Sequence, residues 1–372
     1  MATKTIPRAA VPTALPTTMR ALMKTGPRPG AELRNVAVSR PGPHEVLVRV
    51  LAASICGTDL HIYNWDEWAA GRLHPPLIFG HEFCGEIIEK GEEVDNVQVG
   101  DFIAAETHVI CHTCYQCRTG QGHVCENVSI IGVDRPGIFA DYAVIPGENA
   151  WKTSRRFPPE IATLQEPFGN AVHTALSGRI TAKSVFVSGC GPLGLFCVAL
   201  ARFAGASHVF ASELTPLRRE LARKVGARAV FDPARDDVVA EVHRLTEGGG
   251  VDVLLETAGA PRAIEDGFKC LKYGGRASLI GLPSKPFVFD FTNQVIFKGA
   301  TVIGISGREI FETWYQTREL LEGGLDLSPI ITHRLALEDF EQAFTLLRSG
   351  ECGKIVFNIA EPAFAGGEDE DR

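Results

Sequence analysis

The second half of the chain alternates short apolar runs with longer stretches whose apolar positions recur at helical spacing. Buried strands have continuous apolar runs of this length, and a helix between two strands supplies the crossover that a parallel pair requires. We therefore predict an α/β domain with a doubly wound parallel sheet that binds a dinucleotide. The predicted strands are 185–187, 208–211, 229–231, 251–255, 277–280 and 301–305.

The first half of the chain has a different pattern, in which closely spaced glycines separate short strands of alternating polar and apolar residues. The segments 46–50 and 86–89 are examples. This pattern predicts a twisted, barrel-like β domain. Helical patterns over 311–321 and 337–349 follow the predicted parallel sheet, and we expect them to return to the β-rich domain.

These patterns divide the chain into two domains and two flanking segments. The nucleotide-binding domain is predicted to be inserted into the β-rich domain, which carries the candidate catalytic residues. The first segment is basic and contains prolines, so a disordered leader, a targeting segment and a true start at Met19 are the alternatives. The predicted bounds are 1–18 for the leader, 19–169 with 307–360 for the catalytic domain, 170–306 for the nucleotide-binding domain and 361–372 for an acidic tail.

The composition is that of an ordinary globular protein, with 45% hydrophobic and 22% charged residues among 372. It excludes a disordered, collagenous or polytopic membrane protein. A net charge of -8 repels phosphate backbones, so we predict no nucleic-acid partner. The uncharged stretch 184–201 is broken by glycines and a proline, so we predict no membrane partner. The 10 cysteines are too sparse for a disulfide scaffold, which favours a reducing, cytoplasmic location.

Four cysteines are crowded into one polar, glycine-containing segment as Cys111-x2-Cys114-x2-Cys117-x7-Cys125. Thiolates at this spacing wrap a tetrahedral Zn²⁺, and four of them leave no position open for a substrate. We therefore predict a structural zinc site. An iron–sulfur cluster also fits the spacing, and four free thiols in a loop are the remaining alternative.

A second set of metal-binding residue types is spread along the chain. Cys56, His81 and Glu82, with Glu166 further on, supply one thiol, one imidazole and two carboxyl groups. Such a mixed set can bind zinc and leave a position open for a substrate. Taken singly, each residue has a structural alternative: a small core cysteine, a hydrogen-bonded histidine at a strand end, or a carboxylate at a helix start.

The glycines Gly189-x-Gly191-x2-Gly194 follow a predicted strand and open a predicted helix. In that context, glycines let a pyrophosphate approach the helix N-terminus, as in the Rossmann fingerprint. Glu213 ends the next predicted strand, about 20 residues on, where a carboxylate binds ribose hydroxyls and repels a 2′-phosphate. The pattern favours NAD, although Arg218 is close enough in sequence to accommodate NADP or to be a solvated helix charge.

Together these motifs resemble the zinc-containing medium-chain dehydrogenases, whose signature includes the run Gly80-His81-Glu82. Within that family, residues 19–359 are similar to the L-threonine 3-dehydrogenases. The distinctive stretches are CGTDLHIYNWDEW at 56–68, EPFGNAVHTAL at 166–176, GREIFETWY at 307–315 and GLDLSPIITH at 324–333. The resemblance implies a GroES-like catalytic domain beside the Rossmann domain, and a homotetramer.

The resemblance also implies roles for individual residues. Cys56, His81 and Glu82 would surround a catalytic zinc, and Glu166 would lie beside the metal without being a fixed ligand. With the four-cysteine site this makes two zinc ions per chain. The implied proton relay is Thr58 and His61. The positions that contact NAD in the family are occupied here by Leu193, Glu213, Arg218, Ile280, Gly281, Leu282, Ile305 and Ser306, the last often aromatic in relatives.

The implied activity is oxidation of the Cβ hydroxyl of L-threonine with NAD, which gives L-2-amino-3-oxobutanoate and NADH. His108 is a candidate contact for the substrate's charged groups, and a surface histidine at a strand end is its alternative. The same zinc and nucleotide residues also serve secondary-alcohol and polyol dehydrogenases acting on 2,3-butanediol or sorbitol. A non-catalytic NAD-binding protein is a third alternative, because a fold alone does not establish an activity.

Overall fold

The structure, a computed structural model, describes residues 15–360 of the chain. The predicted acidic tail and residues 1–14 of the predicted leader lie outside the described residues. Two compact units are present. The first comprises the chain up to Glu166, His333–Arg348 and the chain from Ile355, and the second comprises Pro167–Thr332 and Ser349–Lys354.

The strands and helices are numbered in chain order. The strands are β1 (Thr18–Lys24), β2 (Glu32–Ala37), β3 (Glu45–Ser54), β4 (Leu77–Ile78), β5 (Glu82–Lys90), β6 (Phe102–Ala105), β7 (His108–Val109), β8 (Ser129–Ile130), β9 (Tyr142–Pro146), β10 (Ala150–Lys152), β11 (Ser184–Ser188), β12 (His208–Ser212), β13 (Ala229–Phe231), β14 (Val251–Glu256), β15 (Leu271–Leu279), β16 (Thr301–Gly304), β17 (Ile331–Ala336) and β18 (Lys354–Asn358). The helices are α1 (Gly57–Asn64), α2 (Glu67–Arg72), α3 (Tyr115–Arg118), α4 (Pro159–Ala162), α5 (Gln165–Leu176), α6 (Pro192–Phe203), α7 (Pro216–Lys224), α8 (Val238–Leu245), α9 (Pro261–Cys270), α10 (Glu312–Glu322) and α11 (Phe340–Ser349). Between residues 15 and 360, no helix has the length and apolar character needed to cross a bilayer.

The first unit is built around the long strand β3, which pairs antiparallel with β5, β9 and β18. Its main sheet has the order β10-β6-β5-β3-β18-β17, with β9 also paired to β3, and a smaller sheet has the order β2-β1-β4. The register of β3 and β5 places Ser54 opposite Glu82. This pairing brings the end of β3 against the start of β5, close to Cys56.

The second unit contains the predicted parallel sheet, with the strand order β13-β12-β11-β14-β15-β16. All six predicted strands occur, and their pairing is parallel throughout. Large apolar side chains, including Phe186, Phe210, Leu254 and Phe268, fill the core on the sheet. Burial of such side chains is the main favourable term in folding.

The second unit extends further along the chain than the sequence analysis placed the nucleotide-binding domain. The segment from 307 to Thr332, including α10, belongs to this unit, whereas the predicted domain ended at residue 306. The physical reason is packing: the 3₁₀ turn Ser328–Ile330 contacts α6 and α7. The apolar periodicity of α10 predicts a buried helix face, and periodicity alone does not specify which core covers that face.

Candidate functional site

Cys56 lies at the junction between β3 and α1, where the backbone turns from strand to helix. It is the residue that precedes the helix, and its N–H donates a 2.9 Å hydrogen bond to the Asp59 carboxylate. The backbone N–H of the residue before a helix has no hydrogen-bond partner within the helix. Here the Asp59 carboxylate accepts from it and satisfies that donor. The same hydrogen bond fixes the backbone of Cys56 at the start of α1.

His81 and Glu82 follow a glycine whose conformation few other residues adopt. Gly80 has φ of +89°, and a Cβ at this position would lie 2.5 Å from the ring of Phe139. A larger residue would therefore clash and strain the backbone at once. The tight turn delivers His81 directly into β5, with Glu82 as its first residue.

The structure brings Cys56, His81 and Glu82 together. One ligand atom from each lies within 4.8 Å of the others. His81 is 6% exposed and Glu82 is fully buried. The Ser54 hydroxyl donates a hydrogen bond to the Glu82 carboxylate. A thiol, an imidazole and a carboxylate at this separation fit a zinc ion that keeps a position open for a substrate.

Asp59 sets the electrostatics of His81. Its Oδ1 lies 3.5 Å from His81 Nδ1, and both side chains are buried. Burial lowers the pKa of His81, but Asp59 and Cys56 outweigh it, so the pKa lies well above its usual value. A carboxylate beside one ring nitrogen orients the imidazole and leaves the other nitrogen for a metal. The sequence analysis missed Asp59, although its position three residues after Cys56 is that of a capping-box carboxylate.

The two predicted relay residues both lie on α1. Thr58 Oγ1 is 3.8 Å from Cys56 Sγ. His61 follows one turn later, on the same helix face because of its i+3 spacing, and its side chain is 58% exposed. Its Nδ1 contacts the carboxylate of Asp66. The helix therefore carries one hydroxyl beside the metal-binding residues and one imidazole open to solvent.

Two buried carboxylates lie next to Thr107, Glu166 through a hydrogen bond and Glu106 as the preceding residue in the chain. Glu166, in the first turn of α5, accepts a 2.9 Å hydrogen bond from the Thr107 hydroxyl and is not one of the three clustered ligands. Glu106 Oε1 lies 2.9 Å from His108 Nδ1 and is fully buried. The sequence analysis missed Glu106. Its alternation with His108 after a strand is the signal that could have indicated the pair.

The four predicted lobe cysteines also come together, with one ligand atom each within 4.8 Å of the others. Backbone N–H groups donate to their sulfurs: Cys114 to Cys111 at 3.4 Å and Cys117 to Cys114 at 3.5 Å. Hydrogen bonds, led by that from the Thr113 hydroxyl, lower the pKa of Cys111 to about 5. Burial and the adjacent sulfurs raise the pKa of Cys117 to about 12. Four sulfurs this close fit a zinc ion, which would bind each of them as a thiolate.

The glycine loop of the second unit is crowded at two of its glycines and open at the third. Gly189 has φ of +88°, and a Cβ on Gly194 would lie 2.0 Å from the Gly189 carbonyl. These two glycines are thus required by the turn itself. Gly191, the residue before α6, has open space where a Cβ would be. Free N–H groups at a helix start beside such a space suit a pyrophosphate.

The other predicted cofactor residues lie after the carboxyl ends of neighbouring parallel strands. Glu213 follows β12, and its carboxylate accepts hydrogen bonds from Cys190 N at 2.8 Å and Thr215 N at 2.9 Å. Arg218 donates through Nε to the Cys352 carbonyl at 2.8 Å. The carboxyl edge of such a sheet is where ligands bind. Leu193 lies in α6; Ile280, Gly281 and Leu282 follow β15; Ile305 and Ser306 follow β16.

Comparison with known proteins identifies the family. Residues 42–155 match the alcohol dehydrogenase GroES-like domain and residues 192–323 match the zinc-binding dehydrogenase domain. The L-threonine 3-dehydrogenase of Pyrococcus horikoshii is 53% identical over 343 residues, covering 92% of this chain and 99% of the relative. That of Caldanaerobacter subterraneus is 48% identical, covering 91% and 98%. The chain belongs to the L-threonine 3-dehydrogenase family.

Solved structures of this zinc-binding dehydrogenase fold agree with the architecture. A zinc-binding dehydrogenase from Sinorhizobium meliloti bound to NADP has a TM-score of 0.85 at 30% identity, covering 92% of this chain and all of that one. The 2R,3R-butanediol dehydrogenase of Bacillus subtilis has a TM-score of 0.83 at 29% identity, with the same coverage. The predicted fold class and family resemblance are confirmed, and the chain is a zinc-dependent oxidoreductase that uses a nicotinamide cofactor.

The glycine loop yields a prediction that separates cofactor binding from folding. Gly191→Ala should weaken NAD binding by roughly 1–3 kcal/mol, because the added methyl group enters the open space where we expect the pyrophosphate to bind. The melting temperature of the cofactor-free protein should not change. Calorimetric titration with NAD and thermal melts measure the two effects.

Two further variants control this experiment. Gly194→Ala should lower the melting temperature itself, because its methyl group meets the Gly189 carbonyl. Gly71→Ala, in α2 with open space around its Cβ position, should leave NAD affinity unchanged and raise the melting temperature slightly, because alanine favours a helix more than glycine does. Unchanged NAD affinity in Gly191→Ala would show that the pyrophosphate does not approach this residue.

Proposed function

We propose that this chain oxidises the Cβ hydroxyl of L-threonine with NAD, giving L-2-amino-3-oxobutanoate and NADH, as a step in threonine breakdown. The observation that carries the proposal is the meeting of Cys56, His81 and Glu82 beside Thr58, in a member of the L-threonine 3-dehydrogenase family. The substrate loses a hydride and a proton. NAD, held by the second unit, would supply the hydride acceptor, and the proton leaves through side chains of the chain.

We infer that Cys56, His81 and Glu82 hold a catalytic zinc, with Glu166 beside the metal and not permanently bound to it. A zinc ion there would act as a Lewis acid and make the substrate hydroxyl more acidic. Thr58, 3.8 Å from the Cys56 sulfur, is placed to accept the substrate's hydroxyl proton while it releases its own proton towards His61. His61 is exposed and passes the proton to solvent, which is the role of a general base in such a relay.

The amine and carboxylate of threonine need polar contacts of their own, and we propose His108 as one of them. Oε1 of Glu106 lies 2.9 Å from Nδ1 of His108 and accepts a 2.8 Å hydrogen bond from the backbone N–H of His108. Asn149 donates to the carbonyls of both residues, at 2.8 and 3.0 Å. The imidazole is therefore locked in one orientation, with its second nitrogen directed away from Glu106. A preorganised donor of this kind loses little entropy on binding.

We propose that the nucleotide-binding unit takes NAD in preference to NADP. Its cofactor contacts would be Gly189, Gly191, Leu193, Gly194, Glu213, Arg218, Ile280, Gly281, Leu282, Ile305 and Ser306. The argument rests on Glu213, whose two carboxylate oxygens are each held by a backbone N–H. Held in this way, the charge is fixed at the end of β12, where it would oppose a 2′-phosphate.

We propose a second, structural zinc at Cys111, Cys114, Cys117 and Cys125, giving two zinc ions per chain. We also propose a cytoplasmic homotetramer. The free cysteines of residues 15–360 support a reducing location. For the assembly, β16 is an edge strand of the parallel sheet, and edge strands with exposed apolar residues pair with further chains. The exposed apolar residues of the same unit include Val288, Phe291, Ile296, Phe297 and Val302.

A substrate panel tests the proposed reaction. L-Threonine should exceed 2,3-butanediol and sorbitol in kcat/KM by about a hundredfold or more, because a site with polar groups for the amine and carboxylate leaves them unpaired when a diol binds. D-Threonine is the stereochemical control. NADH formation under one set of conditions measures all four compounds. A diol or sorbitol with the higher kcat/KM would make this a polyol dehydrogenase and leave the zinc and NAD assignments intact.

The two proposed zinc ions should differ in lability. Mild chelation should remove about one ion per chain together with all activity, while circular dichroism stays unchanged, because the catalytic site has an open position and the thiolate site does not. Cys56→Ser should reproduce this state. Cys117→Ser, its matched variant, should lose the other ion and lower the melting temperature. Simultaneous loss of both ions with unfolding would contradict separate roles.

The proposed cofactor preference has its own test. Glu213→Ala should lower the ratio of kcat/KM with NAD to kcat/KM with NADP at least tenfold. The reason is that it removes a negative charge from beside the negatively charged 2′-phosphate of NADP. Glu220→Ala, which removes an exposed carboxylate from α7 of the same unit, should leave the ratio unchanged. Equal use of both cofactors by the unmodified enzyme would instead assign specificity to Arg218.

A further inference from the structure

Lys24, the last residue of β1, carries an ammonium group that is completely buried. Its Nζ donates to two backbone carbonyls, that of Gly30 at 2.9 Å and that of Tyr63 at 3.1 Å. The same nitrogen lies 5.2 Å from the ring centroid of Trp65. Among residues 15–360, no carboxylate is within ion-pair distance of it. The charge is therefore stabilised by carbonyl dipoles and an aromatic face alone.

Burial without a carboxylate partner is unfavourable for the Lys24 ammonium group. We explain it by the segments of the chain that Lys24 holds in place. Burial, with a smaller contribution from Arg28, lowers the pKa of Lys24 to about 8. A buried cation without a carboxylate partner costs free energy. Removing one end of such a contact leaves the other buried and unpaired, so Lys24 acts as a rigid link between the segments it touches.

The segment held by Lys24 is the end of α1. Tyr63 belongs to the last turn of this helix, and its carbonyl also accepts from Gly30 N at 2.8 Å. Trp65, just beyond the helix, has φ of +55°, a left-handed conformation that is strained for a tryptophan. The Tyr63 ring stacks on Phe344 at 4.2 Å between centroids. Lys24 thus joins the end of β1 to a turn that needs external support.

The turn leads directly to the residue that contacts the proposed relay histidine. Asp66 follows Trp65, and its carboxylate contacts His61 Nδ1. The other carboxylate oxygen accepts from Ala69 N at 3.0 Å and caps α2. The His61 ring also lies edge-on to Trp68, with 6.0 Å between centroids. Moving the turn would displace Asp66, and with it the orientation of the His61 ring.

We propose that Lys24 is a positioning residue for the proton relay, acting on His61 through the turn at Tyr63–Trp65 and the carboxylate of Asp66. This proposal rests on the proposed function, because the role of His61 is itself part of that proposal. Lys24 lies in β1, whereas the relay residues lie on α1. It touches neither the cluster of Cys56, His81 and Glu82 nor the glycine loop, and it acts only by fixing the end of α1.

A double-mutant cycle tests the link between Lys24 and His61. Lys24→Met should lower kcat for L-threonine roughly ten- to a hundredfold, the scale of a small misplacement of a catalytic group. Zinc content and NAD affinity should stay unchanged. His61→Gln should lower kcat as well, and adding Lys24→Met to it should cause less than a twofold further loss, because both act on one step.

Control variants separate this effect from general destabilisation. Lys24→Gln keeps two N–H donors and should recover part of kcat. Lys90→Met removes another lysine that donates to a backbone carbonyl in the same unit, at Val94, and should leave kcat unchanged. If Lys24→Met does not fold, Asp66→Ala takes its place in the cycle with His61→Gln and should show the same lack of additivity.

The outcomes distinguish the two proposals. Full additivity of Lys24→Met or Asp66→Ala with His61→Gln overturns the positioning role while His61 remains the relay. A His61→Gln variant with unchanged kcat overturns the relay in the proposed function, and the positioning role with it. A wild-type kcat in a folded Lys24→Met variant overturns the positioning role by itself.

Discussion

Ionisable groups packed together away from water must be compensated, and this requirement shapes the β-rich unit. Cys56, His81 and Glu82 are brought within metal-binding distance in a site where two of them are buried. Each is also held from the protein side: the Cys56 backbone and His81 by Asp59, and Glu82 by Ser54. A cation at this site would complete the balance of charge. The same reasoning applies to the cysteine lobe, where backbone N–H groups support the sulfurs.

The nucleotide-binding unit meets a different constraint, which is space. A Cβ on Gly189, Gly194, Gly259 or Gly281 would overlap neighbouring atoms, so loops after the parallel strands pack backbone against backbone. Glu256, at the end of β14, accepts from Ala258 N and Gly259 N at 2.9 Å each, and burial raises its pKa. Gly191 is the exception in this crowded region. Its open space is consistent with a ligand approaching the start of α6.

The sequence was most informative where a pattern is local. Six parallel strands, the four-cysteine spacing and the glycine triplet each follow from residues close together in the chain, and the structure contains all three features. It was less informative about Asp59, Asp66 and Glu106. Carboxylates are common on protein surfaces, and the local signals at Asp59 and Glu106, a capping-box position and alternation with His108, do not by themselves separate a carboxylate that orients a histidine from one that is solvated. The sequence also did not indicate a role for Lys24, because lysine is rarely fully buried and nothing in the sequence marks this one as an exception.

By itself, the sequence indicated the family through the resemblance of its longer motifs. It also determined the class of both units and the residue types available for metal and cofactor. These depend on hydrophobic periodicity and short-range spacing, which a linear chain displays directly. Only the tertiary structure decided that Cys56 meets His81 and Glu82, that Gly191 alone in its loop faces open space, that 307–332 belongs to the second unit, and that Lys24 holds the end of α1. These features depend on residues that are far apart in sequence. Strand register and packing bring such residues together, and no local pattern encodes either of them.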